Sequence, residues 1–200
     1  VPGDKSISHR ALILAALAVG QSRINGLADG DDVRRTALAL QALGVPISGD
    51  LAQGLVVDGL GVGGLREPDK PLDFGNSGTG VRLLMGCLAT HPFTSHLCGD
   101  ASLSGRPMGR VMRPLEEMGA SFLARHGEHL PLALSGTAEP LPIAYRLPVP
   151  SAQVKSAVLL AALNAPGQSS VIESAPSRDH SERLLAARGA GARCSRIRNR

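Results

Sequence analysis

Aromatic residues are scarce in this chain of 200 residues, which has no tryptophan, one tyrosine and three phenylalanines. The core must therefore be built mainly from leucine, valine, isoleucine and alanine. Proteins that bind single-stranded nucleic acid usually combine a basic surface with aromatic side chains on which bases stack. Here the net charge is only +4, and the one basic cluster, residues 193–200, has no aromatic residue near it. We therefore expect no nucleic-acid partner, and favour a small anionic ligand held by a few cations.

Cysteine and long apolar runs are also rare. The spacing of Cys87, Cys98 and Cys194 fits neither a disulfide framework nor a zinc motif, so we expect a reducing compartment and no metal. The longest apolar stretch, residues 11–19, is too short to span a bilayer, and the opening VPGDKS is not a secretion leader. We therefore expect a cytoplasmic protein without a membrane partner. The absence of an initial methionine suggests that the natural N-terminus lies upstream.

Three apolar helical segments recur along the chain, at residues 5–20, 76–92 and 151–167. Each begins with small polar residues that can cap a helix, carries a cation in its first turns and stops at glycine or proline. Between these limits each segment is apolar on nearly every side. Because a helix that is apolar all round is buried, we expect all three to lie in the interior.

A second set of helical segments, with polar faces, follows the first at residues 31–45, 106–120 and 178–190. Short strand-like runs separate the helices, so each unit reads helix, strand, helix, strand, turn, strand. The pattern predicts an α/β fold of repeated units, with pseudo-threefold symmetry around buried parallel helices. We expect a single domain over residues 1–191, with repeats at about 5–75, 76–150 and an incomplete 151–191. Residues 192–200 fit no pattern, and we expect a truncation or reading-frame artefact there.

The starts of the three buried helices are rich in hydrogen-bond donors. A helix N-terminus presents free backbone N–H groups and a partial positive charge, so it can hold an anion. Symmetry would open all three starts on one side of the domain. The residues at these starts include one cation and no carboxylate: Lys5, Ser6, Asn76, Ser77, Gly78, Thr79, Ser151, Ala152 and Gln153. Taken singly each is an ordinary cap, but together they predict a site for a ligand with several negative groups.

Nearby arginines could add planar guanidinium groups that bind carboxylate or phosphate; they are Arg10, Arg82, Arg106 and Arg178. For Arg82 and Lys155, which lie several residues inside their helices, the alternative is that the side chain extends along the helix to the surface.

Two other motifs are interpreted as loops. Residues 59–64 match G-x-G-x-x-G, but Pro68 and Pro71 follow where a dinucleotide-binding domain needs a helix. His126 and His129 flank a glycine ahead of a strand-like run, which favours a solvated turn over a pair of metal ligands.

Four segments carry a family resemblance: PGDKSISHR (2–10), GNSGTGVRLL (75–84), GDASLSGRPMGRV (99–111) and PSAQVKSAVLLAAL (150–163). In this order they resemble the signature motifs of the EPSP synthase family of enolpyruvyl transferases, and SRDHSERLL (177–185) fits the same alignment. The related UDP-N-acetylglucosamine enolpyruvyl transferases share the fold. In that family, however, asparagine follows the lysine, whereas Ser6 follows Lys5 here, and their reactive cysteine loop is not found.

The resemblance implies a fold of two lobes, each of three βαβαββ units, of which this chain resembles one. It implies transfer of the enolpyruvyl group of phosphoenolpyruvate to the 5-hydroxyl of shikimate 3-phosphate, with release of phosphate and without a cofactor. The complete protein is expected to be a monomer. The fragment alone is expected to be inactive, because the acid and base residues of the family lie in the other lobe. The alternatives are an enzyme like the UDP-N-acetylglucosamine transferases and a stand-alone phosphate-binding module.

The resemblance also implies which residues contact each substrate. Shikimate 3-phosphate would be bound by Lys5, Ser6, Arg10, Ser151, Ala152, Gln153 and Arg178. Phosphoenolpyruvate would be bound by Lys5, Asn76, Gly78, Thr79, Arg106 and Gln153. Lys5 is the residue expected to act in the chemical step.

Overall fold

The computed structural model describes residues 3–189, whose helices and strands form three similar units. The elements of the first unit are α1 (Lys5–Ala16), β1 (Val19–Ile24), α2 (Asp31–Ala42), β2 (Ile47–Asp50) and β3 (Gly54–Leu60). Strand β3 lies between β1 and β2 and runs antiparallel to both.

The second unit has the same order with one strand added at its start. Its elements are β4 (Leu72–Asp73), α3 (Gly78–Leu88), β5 (Thr94–Cys98), α4 (Ala101–Ser104), α5 (Gly109–Glu117), β6 (Ser121–Arg125) and β7 (His129–Ser135). The sheet order is β4-β5-β7-β6, with β4 parallel to β5 and the other pairs antiparallel. Apart from the short α4, this is a βαβαββ unit.

The third unit repeats the first part of the second. It consists of β8 (Ala144–Arg146), α6 (Ala152–Ala162), β9 (Ser170–Ile172) and α7 (His180–Ala187). Strand β8 pairs in parallel with β9, as β4 does with β5. Strand pairing therefore places β4 in the second unit and β8 in the third. The repeat boundaries expected at residues 76 and 151 would instead assign β4 to the first unit and β8 to the second. The irregular segment expected at residues 192–200 lies outside the described residues.

Two glycines show that the repeat extends to how closely the backbone approaches the buried helix. A Cβ added at Gly59 would lie 2.3 Å from the carbonyl oxygen of Ala15 near the end of α1. A Cβ added at Gly136, after β7, would lie 2.3 Å from the carbonyl oxygen of Leu88 at the end of α3. In both units the chain passes so close to the buried helix that only glycine fits.

Helices α1, α3 and α6 form the interior, as expected. Most of their apolar side chains are buried, although Ile7 in the first turn of α1 is 40% exposed. Helix α3 packs against both α1 and α6. The α3–α6 crossing is close, because a Cβ at Gly86 would lie 2.3 Å from the carbonyl oxygen of Ala157. None of the helices between residues 3 and 189 combines the length and the apolar character that crossing a lipid bilayer requires.

One helix boundary differs from the sequence-based expectation in a way that matters for the site. The segment 106–120 was expected to be a single helix, but α5 begins at Gly109. Arg106 precedes Pro107, and the residue before a proline is disfavoured in the helical region. Arg106 therefore lies in the connection between α4 and α5. The two motifs interpreted as loops are turns, at residues 61–64 after β3 and at residues 126–128 between β6 and β7.

Candidate functional site

The first turns of α1, α3 and α6 meet at one cavity of about 280 Å³. The residues that line it are Lys5, Asp32, Asn76, Gly78, Thr79, Arg82, Arg106 and Gln153. All of the residues expected at phosphoenolpyruvate are in this set. The structure thus brings together residues from five separate segments of the sequence.

Side-chain caps fix where the three helices begin. Asp4 accepts a hydrogen bond from the amide of Ile7, Ser77 from that of Gly80, and Ser151 from that of Val154. Each cap satisfies one of the free N–H groups of the first turn and leaves others available. The cap of α1 is a carboxylate, which corrects the expectation that no carboxylate stands at these helix starts.

Two arginines face the cavity without an acidic partner among the described residues. Arg82 donates to the carbonyl oxygens of Gly78 and Pro107, both at 3.1 Å. Arg106 donates to Asn76 Oδ1 at 2.6 Å and to Ser102 Oγ at 3.2 Å. Burial, and then the positive charges of Arg106 and Arg110, lower the pKa of Arg82. Because these guanidinium charges repel one another, an anion in the cavity is electrostatically favoured.

Asp32, which sequence analysis did not identify, lies in the cavity and pairs with Lys5. Its Oδ2 atom is 2.8 Å from Lys5 Nζ, and the lysine side chain is 59% exposed. An ion pair this exposed contributes little stability, so an incoming anion can compete with Asp32 for the lysine. Two adjacent acidic residues at the start of a helix are common, and nothing in the sequence placed this pair near Lys5.

The residues expected only at shikimate 3-phosphate do not line the cavity. Ser6, Ser151 and Ala152 are half-buried at the starts of α1 and α6, and Arg178 is exposed just before α7. Arg10 lies behind these helix starts with 3% of its surface exposed. The described residues thus divide into a cavity and a neighbouring surface.

Arg10 is held by neutral oxygens. Its Nη1 donates to the carbonyl oxygen of Ser6 at 2.8 Å, its Nε to Ser181 Oγ at 2.7 Å, and its Nη2 to Ser156 Oγ at 2.8 Å. Burial lowers the pKa of Arg10, and the negative charge of Glu182 opposes this shift. The guanidinium therefore has no carboxylate in direct contact among the described residues.

Lys155 does not extend to the surface, so the alternative interpretation given for it from the sequence is wrong. It is 5% exposed and forms ion pairs of 2.6 Å with both Glu173 and Glu182. Burial by itself lowers the pKa of Lys155, but hydrogen bonds to the two glutamates outweigh this and leave the pKa raised. The side chain joins α6 to β9 and α7 and does not face the cavity.

Within residues 3–189, no group of three or more histidine, cysteine or acidic side chains is arranged to hold a metal ion. Burial raises the pKa of Cys87 to about 12, which favours the neutral thiol over the nucleophilic thiolate.

Comparison with known proteins identifies one family. The family model of EPSP synthase (3-phosphoshikimate 1-carboxyvinyltransferase) matches residues 1–196. A 3-phosphoshikimate 1-carboxyvinyltransferase of Parvibaculum lavamentivorans is 63% identical over 190 residues, which cover 95% of this chain and 42% of that protein. One of Rhodospirillum rubrum is 60% identical over 200 residues, covering 98% and 44%. A solved structure of EPSP synthase from Acinetobacter baumannii superposes with a TM-score of 0.89 at 44% identity, covering 94% of this chain and 42% of that one. The chain therefore spans less than half the length of these relatives.

Proposed function

Since the chain belongs to the EPSP synthase family, we propose that the protein containing it transfers the enolpyruvyl group of phosphoenolpyruvate to the 5-hydroxyl of shikimate 3-phosphate. The observation that supports this most strongly is the cavity at which three helix starts and three cationic side chains converge. Phosphoenolpyruvate is a small dianionic or trianionic ligand, and the cavity offers it both positive charge and backbone donors.

Phosphoenolpyruvate would bind in the cavity itself. Arg106 and Arg82 each keep N–H groups that the described residues do not use, since a guanidinium carries five donors. The first turn of α3 adds backbone amides that the Ser77 cap leaves free. Lys5 would exchange Asp32 for the phosphate at little cost, because its ion pair with Asp32 is exposed.

Shikimate 3-phosphate would bind on the neighbouring surface. The start of α6, at Ser151 and Ala152, would present amides to its phosphate, and Arg178, just before α7, would add a cation. Arg10 and Ser6 would face the carboxylate of the shikimate ring. Gln153 and Lys5 lie between the two substrates in this arrangement and would contact both.

In the reaction the 5-hydroxyl loses its proton as its oxygen bonds to the enol carbon of phosphoenolpyruvate, and a proton adds to the methylene carbon. Loss of a proton from the resulting methyl group then reforms the double bond as phosphate departs, so one phosphate is released for each ether bond formed. The residues of this chain would position the substrates and stabilise negative charge, with Lys5 acting on the leaving phosphate. The proton-transfer groups would come from the rest of the protein.

Phosphate release by the complete protein tests this proposal. We expect inorganic phosphate to appear when phosphoenolpyruvate is supplied with shikimate 3-phosphate, and not when it is supplied alone or with UDP-N-acetylglucosamine. Release that depends on UDP-N-acetylglucosamine, or on neither acceptor, would contradict the proposal. The 200-residue chain by itself is expected to release none, because closure around the substrates requires a second lobe.

A further inference from the structure

Two serine hydroxyls occupy one edge of the Arg10 guanidinium. Ser181 Oγ is 2.7 Å from Arg10 Nε, Ser156 Oγ is 2.8 Å from Arg10 Nη2, and the two hydroxyl oxygens are 2.7 Å apart. The pair therefore meets the Nε–Nη2 edge much as the two oxygens of a carboxylate would, but without its negative charge. All three side chains are at least 97% buried.

The hydrogen bonds of these hydroxyls run in one direction. Ser181 donates to Ser156, and Ser156 donates to the carbonyl oxygen of Ala152 in the first turn of α6. Both hydroxyls thus have their proton committed and can only accept from Arg10. Because both hydroxyl protons have an acceptor and both hydroxyl oxygens accept from Arg10, the orientation of the guanidinium is well determined.

Helix α7 carries Ser181, and the next residue, Glu182, links α7 to α6 through an ion pair. Glu182 Oε1 is 2.6 Å from Lys155 Nζ, and the same ammonium group pairs with Glu173 after β9. These three side chains are largely buried, so the ion cluster is poorly screened and fixes the first turn of α7 against α6. The cluster thereby sets the place of Ser181.

The remaining donors of Arg10 point to a role for this arrangement. Nη1 and Nη2 each carry two N–H groups, and each has one partner among the described residues. One N–H on each terminal nitrogen is therefore left without a partner among the described residues, and these two donors are available to a carboxylate. Rotation of the guanidinium by a few tens of degrees would misdirect both.

We propose that Ser156 and Ser181 are positioning residues, which hold the Arg10 guanidinium so that its free pair of N–H groups faces the carboxylate of shikimate 3-phosphate. The proposal rests on the function proposed above. It goes further by assigning a task to α7, whose first turn sets the orientation of a substrate-binding arginine without touching the substrate.

The test is a comparison of Ser181→Ala with Ser181→Thr in the complete protein. We expect Ser181→Ala to raise KM for shikimate 3-phosphate about tenfold, as for loss of a hydrogen bond to a charged group, while kcat and KM for phosphoenolpyruvate change less than about twofold. Ser181→Thr keeps the hydroxyl and is expected to restore KM. Ser95→Ala is the matched control, because Ser95 is fully buried and its hydroxyl has no partner among the described residues.

A double-mutant cycle shows whether Ser181 acts through Arg10. In an Arg10→Lys background, Ser181→Ala is expected to raise KM for shikimate 3-phosphate by less than about twofold further. Multiplicative effects in the double variant, or a rise in KM for both substrates, overturn the positioning role. If Ser181→Ala is too unstable to assay, the same comparison is made with Ser156→Ala and Ser156→Thr. Failure of the wild-type protein to release phosphate with shikimate 3-phosphate overturns instead the proposed function.

Discussion

Gln153 Nε2 donates a hydrogen bond to Thr79 Oγ1 across 3.0 Å, which joins the first turn of α6 to the first turn of α3. The two residues are 74 positions apart in the sequence and lie at corresponding points of successive units. Their contact shows how a repeat in the chain becomes a single cavity, because helices that start at equivalent points deliver their polar first turns to one place. Lys5 brings the start of α1 to the same cavity.

Arg106→Met is expected to weaken binding of phosphoenolpyruvate in the complete protein. The variant removes a cation that has only neutral partners, Asn76 and Ser102, so its charge is available to the ligand. Hydrogen bonds to charged groups contribute roughly 1.5–3 kcal/mol, which corresponds to a rise in KM for phosphoenolpyruvate of about tenfold to a hundredfold. Steady-state kinetics at saturating shikimate 3-phosphate measure this.

Arg125→Met is the control for that variant, because Arg125 is exposed on β6 and does not line the cavity. It removes the same charge and is expected to leave KM for phosphoenolpyruvate within about twofold, because exposed charges at a distance are screened by salt. Equal effects of the two variants would mean that the cavity binds through net charge alone.

Gly78→Ala is expected to reduce inhibition by glyphosate more than it reduces activity. The family resemblance implies that a glycine here leaves room for this inhibitor. In the structure a Cβ at Gly78 would lie 2.9 Å from Arg82 Nη1 and 3.2 Å from Arg106 Nη1, so the methyl group must displace both guanidiniums slightly. Inhibition constants and KM for phosphoenolpyruvate in the complete protein measure the two effects.

Gly30→Ala serves as the control for Gly78→Ala, because a Cβ there meets no atom within 4 Å and the backbone is extended. It is expected to behave like the wild type in both assays. The explanation fails if Gly78→Ala leaves inhibition unchanged.

His9 is expected to make the protein less stable in mild acid. It is completely buried with Nδ1 2.8 Å from Thr36 Oγ1, and burial lowers its pKa from 6.5 to about 4. Asp32 opposes this shift, and Lys5 and Arg10 add to it. The unfolded chain binds a proton below pH 6.5 while the folded chain does not, so the free energy of unfolding falls as the pH drops from 6.5 towards 4.

Between pH 7.5 and pH 5 this linkage amounts to about 2 kcal/mol. His9→Asn keeps an N–H donor for Thr36 and removes the titrating ring, so the variant is expected to lose about 2 kcal/mol less than the wild type over that interval. The contribution of His91, whose pKa burial also lowers, is common to both proteins. Urea unfolding at the two pH values measures the difference, and identical losses would contradict the assignment to His9.

Gly86→Ala is expected to destabilise the domain at the crossing of α3 and α6. The added Cβ would lie 2.3 Å from the carbonyl oxygen of Ala157, so the helices must separate. Overpacking of this kind costs typically about 1–3 kcal/mol, which thermal unfolding detects. Gly105→Ala is the control, since its Cβ would be 3.6 Å from the nearest atoms and is expected to change the midpoint little.

Much of this architecture could be predicted from the sequence, because the repeat is visible as a recurring pattern of apolar helical segments. Helices α1 and α6 are apolar nearly all round, and only an interior position satisfies such a pattern. The shared cavity could be predicted from the hydrogen-bond donors at the starts of these helices and from Asn76, Gly78 and Thr79 at the start of α3. The short strand β4 was harder to place, because two residues carry too little alternation to reveal a partner.

The contacts between units could not be predicted in the same way. Asp32 looks like an ordinary acidic residue of a first turn, and its position beside Lys5 depends on how α2 packs on α1. Nothing in the sequence distinguishes Ser181 and Ser156 from other serines, because the two residues meet only when α7 packs against α6. Pairings of this kind are set by tertiary packing over long sequence separations, which a single sequence does not encode in its local pattern.

A crystal structure of the complete protein with phosphoenolpyruvate and shikimate 3-phosphate bound tests the central claim most directly, namely that the starts of α1, α3 and α6 form one anion site. We expect the phosphate of phosphoenolpyruvate to lie within hydrogen-bonding distance of Lys5 Nζ, the Arg106 guanidinium and the first-turn amides of α3, with Gln153 between the two ligands. Phosphoenolpyruvate bound away from these three helix starts would contradict the account.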